Sequence, residues 1–103
     1  MVTSVRILGL DYPVLVQFKD TDTYLDGKFG YFDGVRMRIV LAANNDPGVQ
    51  GEVLLHEIVH AIDAAMQTGL EEDQVGRLSR GLFAVLKDNP GLLAHILNEV
   101  NHA

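Results

Sequence analysis

The sequence predicts a small α+β domain, a twisted antiparallel sheet packed on two to three helices. Three observations lead there. The chain has 103 residues, which suits one core and one domain. Residues 1–45 read as strands, with β-branched and aromatic residues punctuated by glycine and aspartate. After "AANNDPG" the apolar period becomes helical and stays so to the end.

Each element follows in order. "SVRILGLDYPVLVQF" predicts two strands joined at Gly9–Tyr12, with Val14, Val16 and Phe18 alternating against Leu15 and Gln17. "TDTYLDGKFG" fits either a loop or a short extra strand. "GYFDGVRMRIVLA" carries the strongest hairpin signal. Asp33-Gly34 offers a two-residue turn, and Val35, Met37, Ile39 and Leu41 alternate with Arg36 and Arg38 beyond it. Asp46 then caps a helix whose first residue is Pro47, where the missing N–H costs nothing. This helix occupies the 46–68 segment and stops near Gly69. A second begins at Glu71 or Glu72 and ends at Pro90; "GLLAHILNEV" gives a short third within 71–103. Gly76 and Gly81 are poor helix formers in the second, which suggests either close packing against a neighbour or local weakness.

Composition narrows the function. Apolar residues make up 48% and charged residues 21%, as in a globular domain. No apolar run approaches the ~18 residues of a bilayer span, so no membrane role is expected. The absence of cysteine removes disulfides and thiolate sites, and with "MVTSVRILGL" carrying no secretory pattern the expected address is the cytoplasm. The net charge is −6 without a basic cluster, which disfavours nucleic acid as a partner. Arg36 and Arg38 read as the solvated face of a strand.

The chemistry concentrates in "LLHEIVHAID", residues 54–63. At 100° per residue His56 and His60 fall within roughly 40° of each other on one helix face, so their imidazoles can converge on one tetrahedral metal. Glu57 points about a quarter-turn away, where it can reach an activated water rather than the metal, the position of a general base. Asp63 shares the histidine face but lies about a turn too far along. It is expected to accept the second ring N–H of a ligating histidine. A helix this apolar would bury those polar groups at about 1–3 kcal/mol for each left unpaired, and a cation answers all of them.

A site of this type needs a third protein ligand. The "HExxHxxGxxH" pattern is absent, since position 63 is aspartate and position 66 methionine. "LEEDQV" supplies three carboxylates at the start of the next helix, where acidic residues also favour the helix dipole. Helical angle favours Glu71, central to a stripe of Val75, Leu78, Leu82 and Leu86. If Glu71 is the cap, Glu72 in the first turn becomes the candidate.

"LLHEIVHAID" followed by "LEEDQVGRLSRGLFAVLKDNP" resembles small phage and prophage zinc metallopeptidase-like proteins. These are minimal HExxH-plus-glutamate peptidases (gluzincins), akin to the domain that cleaves phage-type repressors. The likeness spans the C-terminal two-thirds, and "ILGLDYPVLV" and "GYFDGVRMRIVLA" fit the family's opening strands. It implies a minimal zincin-like fold, with Zn2+ held by His56, His60 and Glu72, and Glu57 as general base on a protein or peptide substrate such as a repressor. It departs from the pattern where Glu71 stands at a cap position that the family fills with serine or threonine. The strand "VRMRIVLA" is the expected edge for a substrate backbone. Tyr31, His95 and His102 are the candidate donors to a tetrahedral oxyanion. The competing reading is a catalytically silent peptidase-like binding module that keeps the metal for stability.

Overall fold

The structure, a computed structural model, describes residues 2–98. Strands β1 (Ser4–Ile7), β2 (Leu10–Gln17), β3 (Gly30–Asp33) and β4 (Arg38–Ala42) precede helices α1 (Pro47–Met66), α2 (Glu72–Asp88) and α3 (Leu92–Asn98). The α+β class holds, with a mixed rather than a wholly antiparallel sheet. The strand order is β1-β2-β4-β3, and β2 runs parallel to β4.

The mixed sheet follows from the hydrophobicity of β4. Ile39, Val40, Leu41 and Ala42 are all at most 2% exposed, an unbroken apolar run suited to a strand covered on both faces. Ile39 and Leu41 join Ile7, Tyr12, Val14, Val53 and Ala61 in the core under α1. Val40 and Ala42 pack with Leu25 on the opposite face. The segment between β2 and β3 contains one 3-10 turn, Thr23–Leu25, rather than an extra strand. It carries the chain past one strand position, and β4 returns into the gap. A simple meander would have exposed one face of that run.

The turns also differ from expectation. Ile7 pairs with Leu10, so the β1–β2 turn is Leu8-Gly9, with φ of 49° and 87°. Two positive φ values define the turn that matches strand twist, and a leucine in that position gave no sequence signal. Between β3 and β4 the turn spans residues 34–37, twice the expected length. Asp33 sets it by accepting from the backbone N–H groups of Val35 and Arg36 at 3.1 and 3.0 Å. Its other oxygen receives Arg36 and Arg38 at 3.1 and 3.3 Å, which accounts for both arginines.

Helix α1 starts as expected. Asp46 accepts from the Gly48 N–H at 3.0 Å, with Pro47 next in line. No residue from Glu52 to Asp63 is exposed, because β3 and β4 cover one side and α2 another. At Gly30, α1 presses directly on β3. A Cβ there would lie 2.8 Å from the Val40 carbonyl oxygen and 2.9 Å from Val53 Cγ1, so only glycine lets helix and strand approach this closely.

Helix α2 turns a different face inward from the one its leucines suggest. Val75 and Ser79 are buried, and Phe83 meets α1 at Gly51. Leu78, Leu82 and Leu86 are 48, 43 and 39% exposed, so of that apolar stripe Val75 alone is buried. Gly76 looks across at the His56 ring, and Gly81 faces open space. Among the described residues, no helix is long and apolar enough to cross a membrane.

Candidate metal centre

His56 and His60 rise from consecutive turns of α1 with ring centroids 4.9 Å apart. Glu72 approaches from the first residue of α2. Its Oε1 lies 2.8 Å from His56 Nε2, and its Oε2 lies 2.7 Å from His60 Nε2. One ligand atom from each residue falls within 4.8 Å of the others, a group able to hold a metal ion. A ring nitrogen and a carboxylate oxygen both present lone pairs, so contacts this short need a positive centre between them, a proton or a metal ion. With bonds of about 2.0–2.1 Å, tetrahedral ligand atoms sit roughly 3.3 Å apart. Glu72 would have to retreat by about half an ångström. Its side chain is 71% exposed and free to do so, whereas the histidines at 23 and 27% are held by packing.

The choice between Glu71 and Glu72 follows from the helix start. Glu71 is the N-cap, in extended conformation, and its N–H donates to the Gln74 side chain at 2.9 Å. The chain turns there and delivers the next residue to the histidines. Glu71 takes no part in the cluster.

Glu57 lines the same cleft as the two histidines. It is 5% exposed and faces the Phe32 backbone N–H of β3. Burial, reinforced by the negative charge of Glu72, raises its pKa from 4.5 to about 7, with Lys28 and the Phe32 N–H opposing. In water it would be ionised throughout the neutral range; here it is balanced between its two forms.

Asp63 does not serve a histidine. Its carboxylate accepts from the Thr68 hydroxyl and, at 3.0 Å, from the Leu70 N–H. Those bonds hold its pKa below the usual range and tie the end of α1 to the loop that delivers Glu72. The partner of the His56 ring is Ser79 instead. Its Oγ lies 3.3 Å from His56 Nδ1 and 3.2 Å from the Gly76 carbonyl oxygen. Ser79 carries no motif of its own in the sequence. It stands seven residues after Glu72, two helical turns along the same face, so choosing Glu72 as ligand would have pointed to it.

The cluster opens into a cleft of about 960 Å³ between β3 and α2, with α1 as its floor. The expected edge strand is corrected. β4, which holds most of "VRMRIVLA", is central, and β3 forms the edge. The Ala42 N–H donates to the Phe29 carbonyl, and antiparallel alternation then turns the backbone groups of Gly30 and Phe32 away from β4. Of the candidate oxyanion donors, Tyr31 reaches the cleft but gives its proton to Asp22 at 2.7 Å. His95 lies on α3, away from the cleft lining, and His102 falls outside the described residues. Lys28 and Arg80, neither singled out from sequence, are the cations that line the cleft. Comparison with protein-family models, with curated proteins and with solved structures finds no match.

Proposed function

We propose that this protein is a zinc-dependent peptidase, of the minimal HExxH-plus-glutamate kind that its sequence resembles, working in the cytoplasm on a protein or peptide substrate such as a repressor. The observation that carries the reading is the convergence of His56 Nε2, His60 Nε2 and both Glu72 oxygens beside a buried Glu57. Two imidazoles and one carboxylate are a borderline donor set that suits zinc. Bound there, zinc supplies a Lewis acid that polarises a carbonyl and lowers the pKa of water.

The chain's own residues supply the rest. A substrate segment pairs along β3, using the outward backbone groups of Gly30 and the Phe32 carbonyl, and lies across the α1 floor. Glu57, between that strand and the histidines, takes the proton of the attacking water and returns it to the leaving amine. Arg80, on the wall formed by α2, and Lys28, on the loop before β3, are the available donors to the developing oxyanion.

The test pairs metal content with turnover. Protein purified without a histidine tag should carry one zinc per chain and cleave a peptide library. Glu57→Gln should keep the zinc and lose cleavage. Zinc retained with no cleavage by either protein would favour the silent binding module, and no zinc in the wild type would remove both readings.

A further inference from the structure

Ser79 is 1% exposed, on the face of α2 that meets α1. A hydroxyl has one proton to give and two lone pairs to receive. The Gly76 carbonyl, 3.2 Å away and three residues back, can only accept, so the Oγ–H goes there, a common bond for serine within a helix. What remains toward His56 Nδ1 at 3.3 Å is a lone pair. With a metal ion between Nε2 and Glu72, the imidazole proton stands on Nδ1, where that lone pair receives it, and Nε2 is left bare. Nε2 is the atom that faces Glu72 at 2.8 Å.

We infer that Ser79 is a positioning residue for the metal centre, fixing His56 in the tautomer and ring orientation that presents Nε2 as a ligand. The inference rests on the metal reading of the His56, His60 and Glu72 cluster and deepens it. Ser79 performs the task that sequence spacing assigns to Asp63, from the neighbouring helix rather than from α1. It also couples the two helices that build the site, since Ser79 and Glu72 stand on one face of α2. A shift of α2 would move the third ligand and the ring's anchor together. Outer partners of ligating histidines typically contribute 10–100-fold to metal affinity.

The experiment measures zinc affinity by competition with a chromophoric chelator for the wild type, Ser79→Ala and Ser79→Thr. It is combined with ring-proton NMR of the zinc-loaded wild type. Ser79→Ala should bind zinc about 10–100-fold more weakly. Ser79→Thr, which keeps an oxygen able to bond the same carbonyl, should stay within a few-fold of the wild type. The His56 Nδ1–H should appear as a resolved signal that exchanges slowly with solvent. Equal affinity in wild type and Ser79→Ala would overturn the role of Ser79 while leaving the metal site standing. So would a His56 Nδ1–H that exchanges freely in the wild type, a reading that holds even if the alanine variant does not fold. Failure of the wild type to take up zinc would overturn the metal reading, and the role of Ser79 with it.

Discussion

Replacing Glu57 by glutamine should make the metal-free protein more stable at high pH. The folded protein holds this carboxyl at about 7, against 4.5 for an ordinary glutamate. Below pH 4.5 both folded and unfolded chains carry the proton, and the buried acid imposes no ionisation penalty. As pH rises from 4.5 to 7, the unfolded chain releases a proton that the folded chain retains, so stability falls; above 7 the full penalty is present. At 1.36 kcal/mol per pH unit the full gap is about 3 kcal/mol, of which roughly 2–3 kcal/mol lies above pH 5. With the side chain only 5% exposed, solvent screening removes little of it. Glutamine mimics the protonated form and keeps an oxygen for the Phe32 N–H. The assay is urea unfolding in the presence of a chelator at pH 5 and pH 9. The histidines titrate in both proteins, so the comparison is between the two pH slopes. Wild type should lose about 2–3 kcal/mol more than Glu57→Gln across that interval. Parallel profiles would refute the raised pKa, and with it the claim that this acid is held ready for proton transfer.

The other predictions concern the ligands and the elements that place them. Zinc at 100 times its dissociation constant should stabilise the wild type by about 2.7 kcal/mol, read as a higher melting temperature. That gain should disappear in His60→Ala. Glu72→Ala should weaken zinc binding by more than about 100-fold in a chelator competition, since changes to outer partners alone cost 10–100-fold. Glu71→Ala should leave the affinity near wild type, because Glu71 caps the helix and makes no contact with the histidines. Gly30→Val should cost about 1–3 kcal/mol in denaturant unfolding, because its side chain would collide with Val53 and the Val40 carbonyl. Asp63→Ala should lower the melting temperature and weaken zinc binding by loosening the Thr68–Leu70 loop, a loss that Asp63→Asn should partly restore.

The parts of this molecule legible in its sequence are those governed by local chemistry. Asp46-Pro47 marks the start of α1 because both residues act within one turn. The pairing of His56 with His60 needs only the helical repeat. Glu72 emerged once Glu71 was read as a cap, again a local matter. What escaped depends on tertiary competition. The leucines of α2 formed a plausible inner stripe, yet Val75, Ser79 and Phe83 face α1 and Leu78 and Leu82 face out. A helix with apolar residues on two sides gives no local basis for choosing between them. Asp63 lies on the histidine face by angle, but the loop after α1 turns back and claims its carboxylate. β4 takes the centre of the sheet because its apolar run needs cover on both faces, and a hairpin signal does not reveal which strand will become the edge. Position in the fold, rather than the grouping of His56, His60 and Glu72, was the part hidden from the sequence.

The most direct measurement of the central claim is zinc X-ray absorption on stoichiometrically loaded protein, with metal content followed in His56→Ala, His60→Ala and Glu72→Ala. The loaded protein should hold one zinc per chain, with two imidazole nitrogens and oxygen ligands at about 2.0–2.2 Å, and each variant should lose the ion. A wild type that takes up no zinc, or a zinc shell that survives the His60 substitution unchanged, would contradict that claim.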